Sequence, residues 1–539
     1  DYYIFNYDWR KGLNDLADDF NNYFQALGAS DPSRRFSLVG HSLGGLIART
    51  YLQKYNSTHI DKIITVGSPH QGAVQAYKAV AAGEVETGND LMWLAEKLII
   101  HLNKNNIKTD REVIAERFPV AQDLLATFNF LRDKNNQDIE IRDMQVKNIT
   151  LPNYQNNFSD IFPILKTIVG EKGETLSGYN VSEPNTLDKL LNLYPDGRPQ
   201  SSFKEIGDYT VISRSAKAGN NIVVLPKDHA EIICCAEGIK SILDNLSIEY
   251  QDNQIVTGSK TKVTPSLIFL ILSPAGLEVN FDNRTFLEQQ GVVFIEDASA
   301  GTYELKATGK ELGRYTILLG QLTTAGDQWT RIEGEISQTP PTAQIDTYHI
   351  NFHPDSIAYS PVNIDRPSYL FGELILYLTD LNKTLSRTEI TNAIKHLQQG
   401  QLYLSQNNYG RLKTNLLAIH QELAAVRKRE NWENKTKLLY CLEKLENIYT
   451  ASLTNYQTGI FPSRIKSELE NYRKSLNTNQ QYLLVNKNKG ADVNRNSLIM
   501  LEIDKKLTQA SLYFSQKKYN LTEILLKTVG ELNKEIRQI

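Results

Sequence analysis

Over the first 250 residues, short apolar runs of strand length alternate with stretches whose apolar positions recur every three or four residues. YYIFNYD, FSLVGHS and KIITVGSP are of the first kind, and LADDFNNYFQAL and LIARTYLQKY of the second. Strands alternating with helices predict βαβ units and a parallel sheet covered by helices on both faces. Residues 73–160 interrupt this rhythm with a mostly helical insertion, after which TIVGE (167–171) and NIVVLP (221–226) supply two further strands. GEKGET at 170–175 lacks the Lys-Ser/Thr of a phosphate-binding loop and reads as a turn.

The pattern changes at about residue 251. VTPSLIFLIL, GLEVNF, VVFIED, GTYELKATG and GRYTILLGQL are short, several alternate apolar with polar, and Gly, Asn, Asp and Pro separate them. This predicts an all-β, sandwich-like domain over 251–345. QTPPTAQ (338–344) and the extended run YHINFHP lead through a linker at 346–365 into a helical region, 366–539, rich in Leu, Lys, Asn, Gln and Glu. There HLQQGQLYLSQNNY (396–409) returns as KLTQASLYFSQKKY (506–519), predicting a duplicated helical hairpin in a bundle whose Tyr and Leu stripes are core.

Composition narrows the function classes. The chain has 539 residues, enough for three or four domains. Its net charge of -3, without long single-sign blocks, gives no electrostatic case for nucleic acid. Of the three cysteines, Cys234 and Cys235 are neighbours and Cys441 is remote, which excludes a disulfide scaffold. The longest apolar run, LIFLIL (267–272), is far short of the roughly 20 residues a membrane-spanning helix needs. The sequence contains no HExxH, paired CxxC or acidic calcium loop, so neither metal nor cofactor is expected. The first residue is Asp1 and the opening run reads as a strand, so the chain reads as starting inside a domain. The compartment is left open, with the β-sandwich appendage leaning towards secretion or the cell envelope over the cytoplasm.

The candidate chemistry sits in FSLVGHSLGG (36–45), where a strand runs into Gly40-His41-Ser42-Leu43-Gly44 and a helix. A serine on such a turn projects its hydroxyl above the sheet edge, and the glycines on either side let the backbone crowd in. A serine hydroxyl is a weak nucleophile without a base, and the base needs a partner to fix its tautomer. Of nine histidines, His70 and His229 lie downstream of the serine in suitable loops. His229, in VVLPKDHAEII, follows an apolar strand, where a loop-borne base belongs. Asp208, in KEIGDYTVISRSA, is the preferred acid; Asp228 is the rival, disfavoured because adjacent side chains rarely bond productively. His70, in VGSPHQG, is expected to shape the site floor, and His41 and Trp93 join it as substrate-pocket candidates.

YDWR (7–10), VGHSLGG (39–45), VGSPHQG (66–72), GDYTV (207–211) and DHAEI (228–232) stand in the order found in the lecithin:cholesterol acyltransferase-like branch of the α/β-hydrolases. The resemblance covers about residues 1–250 and implies an incomplete α/β-hydrolase fold with a helical cap at about 73–160. It implies Ser42 as nucleophile, Asp208 as orienting acid and His229 as base. Tyr209 departs from the family's pattern, which has a small residue there. The oxyanion hole implied by the resemblance uses the Leu43 N–H and a second donor from a His-Gly loop that precedes the YDWR strand. A chain beginning at Asp1 does not include that loop, so weak or absent activity is expected of it.

Acyl-ester or lipid substrates follow from the same resemblance, with water or an alcohol as the acyl acceptor; a deacylase or peptidase would share the triad. LMWLAEKLIIHL (91–102) reads as a cap helix packed on the core, with an acyl pocket or peripheral contact with a lipid surface as the alternative. A second reading, from a different class, is an envelope-associated binding scaffold whose hydrolase domain no longer works and whose helical tail binds a protein partner.

Overall fold

The computed structural model describes residues 1–28, 33–56, 58–85, 91–103, 109–259, 263–272, 274–336, 345–356, 363–364, 367–453, 456 and 462–536. The chain forms two compact units, one made by Asp1–Lys104 with Lys108–Lys262 and one that runs from Val263 to Ile539.

The first unit is built on a four-stranded parallel sheet. Its strands lie in the order β1 (Phe36–His41), β2 (Ile60–Val66), Leu165–Gly170 and Asn221–Leu225. Helix α1 (Leu13–Ala26) turns Leu13, Leu16, Ala17, Phe20 and Phe24 inward, a spacing that keeps one face apolar. That face meets Leu46, Ile47 and Tyr51 of α2 (Leu43–Tyr55) in one core. On the other side of the sheet Ile64, Val66 and Ile168 pack with Ile232 and, from the helix Ala236–Leu246, Ile242 and Leu246.

Residues 1–8, expected as a strand, are irregular. A strand exists only with a ladder partner, and among the described residues none pairs with this segment. Aromatic packing holds it instead: the Phe5 ring lies 5.1 Å from Phe20 and 5.3 Å from Tyr23, whose hydroxyl donates to the Ile4 carbonyl at 2.9 Å. Among the described residues β1 is therefore an edge strand, with Val39 48% exposed.

The insertion carries the helices Ala76–Ala82, Leu91–Asn103, Asp110–Arg117 and Val120–Asp123. Leu94 and Ile100 are buried, the latter in a cluster with Val113, Ile114 and Phe118. A second sheet accompanies these helices. Gly173–Ser182 and Arg198–Gly207 form an antiparallel pair, extended by Leu131–Arg132 and Asp138–Ile139. This hairpin was not legible in the sequence, because RPQSSFKEIG is too polar to show strand alternation. It ends at Gly207 and so delivers Asp208 to the carboxyl edge of the parallel sheet.

The second unit begins with two antiparallel sheets, of five and four strands, that enclose a single core. The strand Ile345–Phe352 pairs along its whole length with Gly301–Gly309 and buries Tyr348, Ile350 and Phe352. The region expected as a linker at 346–365 therefore opens with sheet, because its alternate residues are apolar; QTPPTAQ lies outside the described residues. Seven helices follow among the described residues, from Pro367–Leu385 to Tyr519–Ile536. The two repeat copies end their first helices in the same way. Asn407 and Lys517 take left-handed backbone (φ 54 and 59), and the next N–H donates five residues back, Asn408 to Tyr403 and Lys518 to Tyr513, at 2.9 Å each.

Candidate functional site

Ser42 joins β1 to α2 with φ 51 and ψ -120, a strained conformation for a residue with a side chain. The bend is tight enough that only glycine fits beside it. A Cβ on Gly40 would lie 2.4 Å from the Gly45 nitrogen, and one on Gly45 would lie 2.0 Å from Ser68 Oγ. The Ser42 N–H donates to the Val66 carbonyl at 2.9 Å, tying the elbow to the end of β2. Ser42 and Leu43 are half-buried, so the hydroxyl and the first turn of α2 remain reachable.

Asp208 is 1% exposed and His229 16%, and His229 Nδ1 donates to Asp208 Oδ2 at 2.8 Å. The other carboxylate oxygen accepts the N–H groups of Thr210 (3.0 Å) and Val211 (2.6 Å), which fixes the acid in place. The Asp208 carbonyl accepts the His229 N–H at 3.0 Å, so the two loops are joined through backbone as well as side chain. The rival Asp228 is occupied elsewhere: its Oδ1 accepts the N–H groups of Ala230 and Glu231 and opens the next short helix. Imidazole bonded through Nδ1 to a carboxylate presents Nε2 as the basic nitrogen. Among the described residues no hydrogen bond joins that ring to Ser42 Oγ; such contacts often tighten only when substrate binds.

His41, which precedes the serine in the chain, packs against His229. Its ring centroid is 4.7 Å from that of His229, and its Nε2 donates to the His229 carbonyl at 2.8 Å. Burial, reinforced by the neighbouring His229, pushes the His41 imidazole down to about 4, so it is neutral near pH 7. His70 is fully buried. Its Nε2 meets Thr65 Oγ1 at 3.1 Å, its carbonyl accepts Arg49 Nη1 at 2.7 Å, and burial followed by the Arg49 charge pushes it down to about 3. The Arg49 guanidinium is itself buried and sits 3.5 Å over the Phe158 ring. Trp93 belongs to the helix Leu91–Asn103, but its side chain lies outside the described residues.

Tyr209 occupies a left-handed position, φ 72, which a small residue would take with less strain. Its N–H donates to Thr175 Oγ1 at 2.8 Å and its ring covers Gly173, where a Cβ would lie 2.7 Å from the ring. The tyrosine thus leaves the Asp208 loop closed and adds an aromatic face, 52% exposed, beside it. The hydroxyl of Tyr7, which opens the YDWR motif, lies near the elbow, 3.7 Å from where a Gly44 Cβ would stand.

The family model described as palmitoyl protein thioesterase matches residues 7–165, a span that contains the Ser42 elbow. It goes together with the parallel sheet and the strand–serine–helix turn. The first unit has an α/β-hydrolase-like fold. The lecithin:cholesterol acyltransferase-like branch is not the one matched. No curated protein matches the chain. Solved structures similar to it include the lipase BlEst2 of Bacillus licheniformis in its propeptide form, with 13% identity over 63% of this chain and 85% of that one and a TM-score of 0.23. The mature form of that lipase shows 17% identity over 45% and 75%, TM-score 0.23. The Tle4–Tli4 complex shows 12% identity over 40% and 60%, TM-score 0.25.

Proposed function

We propose that the α/β-hydrolase unit cleaves acyl esters, thioesters included, through a covalent acyl-enzyme on Ser42. The observation that carries this reading is the 2.8 Å His229–Asp208 bond beside a serine held at φ 51 between β1 and α2. His229 Nε2 takes the hydroxyl proton as Ser42 Oγ bonds to the carbonyl carbon. The negative charge on the carbonyl oxygen is met by the Leu43 N–H at the first turn of α2. When the carbonyl re-forms, the leaving thiolate or alkoxide receives the proton from His229. Water, deprotonated by the same imidazole, then releases the acid. Asp208 holds the imidazole in the tautomer these steps need and stabilises its cationic form.

The palmitoyl protein thioesterase match favours a long acyl group on sulfur, whereas the motif order resembling lecithin:cholesterol acyltransferases favours transfer from an oxygen ester to an alcohol. Both run through the same acyl-enzyme and differ in leaving group and acceptor. The test is turnover of palmitoyl thioesters and of short and long p-nitrophenyl esters, with and without an added alcohol. Ser42→Ala and His229→Ala are each expected to remove turnover while leaving the thermal transition in place. Undiminished turnover in either variant would remove this mechanism.

A further inference from the structure

His229 sits in the loop between the strand Asn221–Leu225 and the short helix Glu231–Cys234. Outside strand and helix, its position depends on individual hydrogen bonds. Its Nδ1 and its backbone N–H both donate to Asp208, at 2.8 Å and 3.0 Å. Those bonds join the imidazole to its acid and would travel with the pair. A further bond reaches the serine's own turn: the His229 carbonyl accepts His41 Nε2 at 2.8 Å.

His41 is the fixed end of that bond. It closes β1 in register with Val66 of β2, and the Ser42 N–H that follows donates to the Val66 carbonyl at 2.9 Å. Its ring lies 4.7 Å from that of His229, tilted at 45°. Gly67, next after Val66, packs close from the neighbouring strand end, where a Cβ would lie 3.2 Å from His229 Nδ1. The His229 ring therefore has contacts at the ends of two adjacent strands. Charge agrees with this role. Burial, then the neighbouring His229, keeps the His41 imidazole neutral near pH 7. A neutral ring can hold the carbonyl through Nε2–H without opposing the cation that a histidine base becomes; a charged ring at this distance would oppose it.

We propose that His41 is a positioning residue that ties the His229 loop to the nucleophile's turn and so fixes the approach of the base to Ser42. This rests on the reading of Ser42 as nucleophile and His229 as base. His41 touches no reacting atom and moves no proton in the reaction. Its Nε2–H holds the His229 backbone while the Nε2 of His229 takes the Ser42 proton and passes it on. A misplacement of about 1 Å at a reacting group costs on the order of 10² in rate, which is the scale of loss the bond guards against.

A pair of amide variants separates the bond from the packing. The amide nitrogen of glutamine can stand where His41 Nε2 stands, whereas that of asparagine reaches only the place of Nδ1. In the full chain, with a short p-nitrophenyl ester and the Ser42→Ala rate as background, His41→Asn is expected to lower kcat about 10–100-fold while KM moves by less than about twofold. His41→Gln is expected to bring kcat back to within about fivefold of wild type. The rate at which a fluorophosphonate labels Ser42 should follow the same order, since it needs the same proton transfer. His41→Leu, also without a donor, takes the place of His41→Asn if that variant loses its thermal transition. Donor-free variants that keep kcat within about twofold of wild type, a His41→Gln variant that falls as far as they do, or a loss confined to KM would overturn the His41 assignment alone. Equal rates for Ser42→Ala and wild type would instead remove the nucleophile reading, and the His41 proposal with it.

Discussion

Asp208 divides its work between its two oxygens: one is committed to the backbone of Thr210 and Val211, the other to His229 Nδ1. Asp208→Asn would preserve the shape while presenting either an amide donor or a weaker acceptor to the imidazole, which favours the wrong tautomer. Turnover is expected to fall by about 10³–10⁴-fold with little change in stability, measured as kcat on a short ester. His41 and His70 make a different, pH-dependent contribution. Both are depressed in the folded chain, to about 4 and about 3, from an ordinary value near 6.5. Protonation therefore favours unfolding: their contribution is complete above about pH 6.5 and is lost as pH falls towards those values, by at most about 1.4 kcal/mol per pH unit for each. Melting temperature followed from pH 7 to pH 4 should decline, and His70→Gln should flatten that decline; an unchanged slope would contradict it. At this scale the place of His229 was legible because it follows an apolar strand, and Asp208 was singled out by its place in the chain, upstream of His229, without the strand that leads to it.

The elbow glycines differ in ways that only the assembled elements reveal. At Gly45 an added methyl would collide with Ser68 on the neighbouring strand–loop segment, and at Gly40 with the backbone of Gly44 and Gly45, whereas at Gly44 the nearest group is Tyr7, 3.7 Å away. Gly45→Ala is accordingly expected to destabilise the chain by about 1–3 kcal/mol, and Gly44→Ala by much less, in urea unfolding. Similar losses in the two variants would contradict the packing described. Among the elements, βαβ rhythm and helix periodicity were readable wherever one face is apolar, as in α1. Two cases escaped. The opening run had strand composition but no ladder partner, and the hairpin that carries Asp208 has a polar outer strand held by its neighbour's hydrogen bonds and not by its own pattern.

At the scale of the whole molecule, the two units have separate cores. The helical part of the second unit is held partly by charges taken out of water. Arg427 and Glu535, 3% and 2% exposed, pair between the second helices of the two repeat copies, and Lys506 meets Glu446 at 2.9 Å. Removing Arg427 leaves the buried Glu535 with Lys435, 3.8 Å away, as its remaining partner, so Arg427→Met is expected to destabilise the second unit by up to about 3–5 kcal/mol. The change should appear in the helical signal during denaturant unfolding, while kcat of the first unit stays as in wild type; a parallel loss of turnover would contradict the separation of roles. The duplication itself was readable from 396–409 and 506–519, because both copies need the same left-handed turn. The pairing of their second helices through buried charges was not, since charge in a helix ordinarily signals a solvated face.

The account stands or falls on whether Ser42 becomes acylated. Reaction of the folded chain with a fluorophosphonate probe, followed by intact mass and peptide mapping, reads this directly. The account predicts one adduct per chain, on the peptide carrying Ser42, lost in Ser42→Ala and greatly slowed in His229→Ala. A folded chain that takes no adduct there, and that also fails to turn over short esters, would contradict it.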